Sequence, residues 1–242
     1  MLSPGVDRDW SDVRAVVFDA VGTLIHPVPD VASVYLSVAQ KYGSALSRET
    51  IRSRFREVFQ ASESQDRSGE ESLRTSEPQE VIRWRNIVSQ VLDDVTEPEA
   101  CFLELFEHFG SAAAWGCYRG TEEIVDHLRR AGFKLALASN FDRRLLTICD
   151  GLEPLRRIET RIVSSLCGWK KPARAFYQAV VDALRLPPHQ ILMVGDDREN
   201  DICGARRAGL HTLRIDHHSD GTLLEDESLV ITSLIQLRDL LS

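Results

Sequence analysis

Asp19 closes the apolar run Ala15 to Phe18, with Gly22 and Thr23 directly behind it. A carboxylate in that place can act as a nucleophile or hold a hard cation. If the run is a parallel strand, its carboxyl end is where open α/β sheets place their ligands. Three later stretches offer the other parts of such a site. Leu135-Ala-Leu-Ala-Ser-Asn140 is a second apolar run, and it ends in small hydrogen-bonding side chains. Gly168-Trp-Lys-Lys-Pro172 brings cations just ahead of a helical pattern, and Ile191-Leu-Met-Val-Gly-Asp-Asp-Arg-Glu-Asn-Asp201 is a third apolar run that closes on a cluster of acids. Each stretch also has a plain structural reading. Asp19 can cap a loop, Asn140 or Asp142 can cap the helix that follows, and Lys171 can be a surface lysine.

These runs must be held by a frame, and the hydrophobic pattern supplies one. From Gly120 onward the chain alternates: helix Thr121 to Arg130, strand Phe133 to Ala138, helix Arg143 to Leu152, a short strand near Arg161 to Ser164, helix Ala173 to Leu186 and strand Gln190 to Val194. A helix from about Asp201 to Ala208, strand Thr212 to Ile215, a weaker strand Leu229 to Ile231 and a last helix reaching Leu241 complete it. Repeated βα units with short loops predict an α/β fold, a doubly wound parallel sheet covered by helices on both faces. Asp30 to about Phe109 is different. It shows helical periodicity and no strand, with one stripe of Val31, Val34, Tyr35, Val38 and Ala39, another of Ile51, Phe55, Val58 and Phe59, and a third of Phe102, Leu105, Phe106 and Phe109. These aromatics read as core. The polar stretch Ala61 to Pro78 reads as an exposed loop. The expected division is a core of residues 1–26 and 110–242 with a helical insertion at 27–109.

Composition narrows the function further. With 242 residues, 43% of them hydrophobic, the chain can build one sizeable core and a smaller lobe. A net charge of -8 argues against a nucleic-acid partner, which needs a basic face. No apolar run has the length of a membrane span, and Met1 to Asp12 carries acids and Pro4 where a secretory leader has a basic then apolar segment, so a cytoplasmic location is expected. Five cysteines without ligand spacing read as reduced thiols. His26 and the pair His217-His218 lack partners at ligand spacing, so they are not expected to hold a metal.

Taken in this order, the four motifs resemble those of the haloacid dehalogenase-like hydrolase superfamily, in the branch with a helical cap inserted after the first motif. Ser139-Asn-Phe-Asp-Arg-Arg-Leu145 and the Gly-Trp-x-Lys-Pro run are similar to the branch named only as dehalogenase-like hydrolase domain proteins. The resemblance covers nearly the whole chain from Val13, although the cap matches only in length and helical character. It implies a Rossmann-like core and phosphoryl transfer through Asp19 as nucleophile. It also implies Mg²⁺ held by Asp19, Asp196 and the backbone carbonyl of Val21, with Asp197 the less favoured acid. Asp201 would orient metal waters or Lys171, and Lys171 would neutralise charge between Asp19 and the phosphate. Thr23, Ser139 and Asn140 would hydrogen-bond around the phosphate, while Lys170 is expected to face solvent. Arg143 and Arg144 could meet an anionic substrate, but helix arginines of this kind are usually only solvated. The implied partner is a small anionic, phosphorylated metabolite.

One departure matters. Phosphatases of the superfamily carry a second Asp two residues after the nucleophile, as general acid and base, and here that residue is Val21. Losing such a group costs about 10²–10⁴ in rate. Three readings follow: a Mg²⁺-dependent phosphatase acting on acyl or aryl phosphates or borrowing an acid from the cap, a 2-haloacid dehalogenase, whose halide leaves without a proton, or a non-catalytic metal- and anion-binding relative. The dehalogenases are metal-independent and lack the acid found here as Asp196. They also grip the substrate carboxylate with a cap arginine, which this sequence does not single out.

Overall fold

The computed structural model describes residues 10–66, 69–219, 223–225 and 228–241. The expectation for the start of the chain therefore falls largely outside the described residues, as do positions 67 and 68 of the polar stretch. Strand β1 is Ala15–Phe18 and β2 is Ile25–Pro27; helices α1 (Val31–Lys41), α2 (Arg48–Asp66), α3 (Glu77–Val91) and α4 (Pro98–His108) follow. The chain then runs β3 (Trp115–Cys117), α5 (Thr121–Arg130), β4 (Lys134–Ser139), α6 (Arg144–Gly151), α7 (Glu153–Arg156), β5 (Thr160–Val163), α8 (Ser164–Cys167) and α9 (Arg174–Leu184). Next come β6 (Ile191–Gly195), a π-helical turn Arg198–Cys203, α10 (Gly204–Arg207), β7 (His211–Ile215), β8 (Leu223–Glu225), β9 (Ser228–Ile231) and α11 (Gln236–Leu240).

Seven strands form one sheet in the order β5-β4-β1-β6-β7-β9-β8, parallel except for β8, which pairs antiparallel with β9. This is the doubly wound α/β core expected from the alternation. Every residue of β1 is buried because helices cover both faces. Val16 and Phe18 point into one cluster with Leu137, Val194 and the α5 and α6 residues Ile124 and Ile148. Ala15 and Val17 point the other way, against Ala138, Met193 and the α9 residues Phe176 and Val180. Burial of each such large side chain is worth about 1.5–3 kcal/mol. The clusters on both faces therefore fix the register that brings the carboxyl ends of β1, β4 and β6 side by side. Those ends flank β1, where the strand order reverses and an open sheet leaves a crevice.

Between β2 and β3 the chain forms the helical block α1 to α4, with its own core of Tyr35, Val38, Ile51, Ile87, Val91, Phe102 and Leu105. The two crossings pair as an antiparallel ribbon, Ile25 opposite Cys117 and Pro27 opposite Trp115, which was not expected from sequence. The polar stretch 61–78 also departs from expectation. Helix α2 continues to Asp66, and Leu73 and Thr75 are buried. They are buried because this segment lies along the loop before α9: the N–H of Lys170 donates to the Leu73 carbonyl at 2.8 Å and the N–H of Thr75 to that of Gly168 at 3.1 Å. A backbone that finds such partners has no need of solvent.

Candidate active site

Asp19 sits one residue past β1, with its backbone N–H donating to the Val194 carbonyl at 2.9 Å and the residue 6% exposed. A tight loop follows, because the N–H groups of Leu24 and Ile25 both donate to the Ala20 carbonyl at 2.9 Å. Gly22 makes that loop possible. Its φ is +91°, and a Cβ there would overlap the Asp196 carboxylate. Thr23 donates its hydroxyl to Asp196 Oδ1 at 3.2 Å. His217 fixes the same loop from behind, with Nε2 2.9 Å from the Thr23 carbonyl and its ring stacked on Tyr118 at 3.7 Å. Burial holds the His217 pKa below its ordinary value, in keeping with a structural role.

Lys171 is the centre of the charge arrangement. Its ammonium lies 2.6 Å from Asp19 Oδ1, 2.6 Å from Asp201 Oδ1 and 3.0 Å from the Ala138 carbonyl. Burial works against its charge, but Asp19 and Asp201 more than offset this and hold its pKa above the usual lysine value. Asp201 uses its other oxygen to accept the Asp197 N–H at 3.0 Å, and a Cβ on Gly195 would fill the place of its carboxyl. It is carried by the π-helical turn, a distortion frequent at functional sites. Asp197 accepts the N–H of Asn200 at 2.7 Å and so starts that turn.

Asn140 spends both ends of its side chain on the lysine loop, donating to the Lys171 carbonyl at 3.0 Å and accepting the Lys171 N–H at 2.7 Å. The Ser139 hydroxyl, 3% exposed, faces the crevice without a hydrogen-bond partner among the described residues. Lys170 is a correction. It is 5% exposed and pairs at 3.0 Å with the buried Glu80 of α3, so it joins the helical block to the core and does not face solvent. Arg144 is another. Its guanidinium grips Asp142 through two hydrogen bonds of 2.8 and 2.7 Å, donates to the Phe106 carbonyl at 2.7 Å and lies over the Phe106 ring.

Among the described residues, one group of three acids can bring its ligand atoms together: Asp19, Asp196 and Asp201, within 4.8 Å of one another. Neither His26 nor His217 belongs to it. Burial first, and then the charge of Asp19, push the Asp196 pKa up to about 7; burial raises that of Asp201 as well. Above the acids, a cavity of about 470 Å³ runs between core and helical block. Its walls include Tyr35, Phe55, Phe59, Trp84 and Phe106, all read from the sequence as core or unassigned. A helical stripe shows which side chains turn inward, and only the relation of block to core shows that some of them line a space.

A family model described as haloacid dehalogenase-like hydrolase matches residues 13–209. The haloacid dehalogenase-like hydrolase domain-containing protein 3 of Xenopus laevis is 26% identical over 208 residues, 84% of this chain and 84% of that protein. Among solved structures, the L-2-haloacid dehalogenase of Xanthobacter autotrophicus with chloropropionic acid covalently bound gives a TM-score of 0.72 at 19% identity, covering 94% of this chain and 98% of that one. A HAD phosphatase of Thermococcus onnurineus gives 0.66 at 21%, covering 95% and 98%. The two structures share the fold and differ in the activity they are named for, so the likeness establishes architecture and leaves chemistry to the site. No helix among the described residues is long and apolar enough to cross a membrane.

Proposed function

The chain belongs to the haloacid dehalogenase-like hydrolase family, and on that premise we propose that it is a divalent-cation-dependent phosphatase, with Mg²⁺ the expected ion and Asp19 the nucleophile. The carrying observation is the charge count at the crevice. Three carboxylates lie within 4.8 Å of one another, with Lys171 as the ammonium bonded to two of them. Without an ion, burial and crowding push Asp196 and Asp201 towards their protonated forms; a bound cation would hold them ionised and offset their charge towards an anionic substrate. The donor set fits one: Asp196 points at the Gly22 loop beside Asp19, and all the candidate donors are hard oxygens, which suit Mg²⁺. Asp19, Asp196 and the Val21 carbonyl would hold the ion, which would screen charge between nucleophile and phosphate.

The protein's own groups account for the rest. Lys171 orients Asp19 so that its free oxygen faces the phosphorus, and Asp201 holds Lys171 in place. Attack forms an Asp19 acyl phosphate as the bond to the leaving oxygen breaks, and water then releases inorganic phosphate and restores the carboxylate. Ser139 would take a phosphate oxygen, as would the amide hydrogen of Asn140 not given to the Lys171 carbonyl, and Thr23 keeps Asp196 in register. The helical block 27–109 would act as the cap over a core of 1–26 and 110–242, enclosing a small phosphorylated substrate.

A 2-haloacid dehalogenase is the second reading, favoured by Val21, since a halide needs no proton. Two features weigh against it: Asp196 stands beside Asp19, and the cap arginine lining the cavity, Arg83, is bonded to Glu63. The test is phosphate release from acetyl phosphate and p-nitrophenyl phosphate, with chloride release from 2-chloropropionate in parallel. Phosphate release abolished by Asp19→Asn and by chelation is expected. Chloride release that survives chelation would replace this reading with the second.

A further inference from the structure

We propose that the leaving group of the substrate is an uncharged, ring-bearing phenol, so that the natural substrate is an aryl phosphate monoester; this rests on the phosphatase reading. Two independent features lead there. The first is the cap face of the cavity. Phe55 and Phe59 stack at 5.7 Å, Tyr35 meets Phe55 edge-on at 5.3 Å, and Trp84 continues the wall 6.1 Å from Phe59. The charged groups of that wall, Glu63 and Arg83, neutralise each other, and Arg83 lies over the Phe59 and Trp84 rings. On the core side, Arg144 is matched by Asp142.

Among the described residues, the lining therefore holds no spare cation for a second acidic group on the substrate. A polyhydroxylated body would fare no better. The uncharged polar side chains of the cap wall are Trp84 and Tyr35, and the Tyr35 hydroxyl, in a residue 2% exposed, has no hydrogen-bond partner among the described residues. Each sugar hydroxyl buried there without a partner would cost about 1–3 kcal/mol. An aromatic ring instead finds ring faces and edges at contact distance, with one hydroxyl to meet a single polar substituent.

The second feature is Val21, which lines the same cavity two residues past Asp19 and gives the loop an apolar side chain in place of a proton donor. Without that donor the leaving oxygen must depart with its electron pair and as an anion. A phenol, with a pKa of about 10 like that of tyrosine, can do so; an alkanol, near water's value of about 15.7, cannot at a useful rate. In the balanced step, an Asp19 carboxylate oxygen bonds to phosphorus, the P–O(aryl) bond breaks, and phenolate leaves to take a proton from solvent. Water then cleaves the acyl phosphate. The net reaction is aryl phosphate plus water to phenol plus inorganic phosphate.

The experiment separates wall from leaving group by using phosphonates, which bind without reacting. Calorimetric titration of the full chain with Mg²⁺ compares benzylphosphonate with ethylphosphonate, and acetyl phosphate hydrolysis is measured on the same preparation. Benzylphosphonate is expected to bind tighter by about tenfold or more. Trp84→Ala and the milder Phe59→Leu should shrink that ratio towards unity, and a ratio unchanged in both would overturn the aryl assignment. Equal affinities in the unaltered protein, with acetyl phosphate still hydrolysed, would overturn the aryl assignment and leave the phosphatase reading standing. No hydrolysis of acetyl phosphate and no phosphonate binding would remove both.

Discussion

Glu80, on α3, faces the ammonium of Lys170 at 3.0 Å, and Lys170 is joined directly to Lys171, which bonds Asp19 and Asp201. Both partners are buried, and the Thr75 hydroxyl donates to the same carboxylate at 2.6 Å. Removing one partner of a buried ion pair costs about 3–5 kcal/mol, so Glu80→Gln should lower stability by an amount near that range and loosen Lys171 as well. Burial raises the Glu80 pKa, but Lys170 and Arg83 outweigh it, leaving it below the ordinary value. A depressed carboxyl stabilises the fold above its unfolded pKa, and that contribution is lost as pH falls through the folded pKa. Denaturation curves of both proteins from neutral pH down into the acid range should therefore converge at the acid end. Curves that stay parallel would mean that the pair contributes nothing specific.

Lys170 also shows where the sequence stops being informative. Asp19, Asp196 and Asp201 were legible because strand ends and the turns after them place such residues locally, and Lys171 because its run stands in the order of the four motifs. The environment of Lys170 was not, since its partner lies ninety positions earlier, just past a stretch whose polar composition suggests solvent. Arg144 misleads for a related reason: its carboxylate, Asp142, is two positions away in sequence, but the Phe106 ring beneath it belongs to α4 of the helical block. The aromatic wall was visible as helical stripes, yet periodicity gives the inward face without saying whether it meets another side chain or a cavity.

Asp196 makes the metal testable without an activity assay. Its pKa of about 7 means that, between the ordinary carboxylate value and 7, the unfolded chain has lost a proton the folded chain keeps. Stability of the metal-free protein is therefore lost as pH rises through that window, and a bound cation opposes the loss. At a Mg²⁺ concentration of a hundred Kd the gain is about 2.7 kcal/mol, or roughly 5–10 °C in Tm for a chain of this size. Melting curves should show that shift at about pH 8 and a much smaller one at about pH 5.5. Asp196→Asn should remove it at both, and a shift that persisted in this variant would place the ion elsewhere.

Gly195 and Gly22 separate the two halves of the cluster. A methyl group on Gly195 collides with the Asp201 carboxylate, whereas one on Gly22 collides with that of Asp196 in a left-handed turn. Gly195→Ala should displace Asp201, leave Lys171 with a single carboxylate, and lower kcat by about 10², the cost of a misplacement near 1 Å. Mg²⁺ should still raise its Tm. Gly22→Ala should lose both turnover and the Mg²⁺ response. Identical behaviour of the two variants, followed by Tm and turnover together, would mean that the acids act as one unit.

Val21 offers the strongest test of the leaving-group argument, because a change there can add activity. It lines the cavity and is partly exposed, so Val21→Asp introduces a carboxyl at the crevice and gives up only a partly buried contact with the core. Asp19 and Asp196 are close enough that like charge should raise the new pKa and keep part of the population protonated near neutrality. A proton donor helps a poor leaving group far more than a good one. Turnover of ethyl phosphate should therefore rise by about 10² or more, while turnover of a nitrophenyl ester changes little. The gain should fade as pH rises above the pKa of the new acid, because only the protonated form donates. Measuring kcat for both esters across pH decides the matter: an equal gain for the two, or none for ethyl phosphate, would show that residue 21 does not face the leaving oxygen.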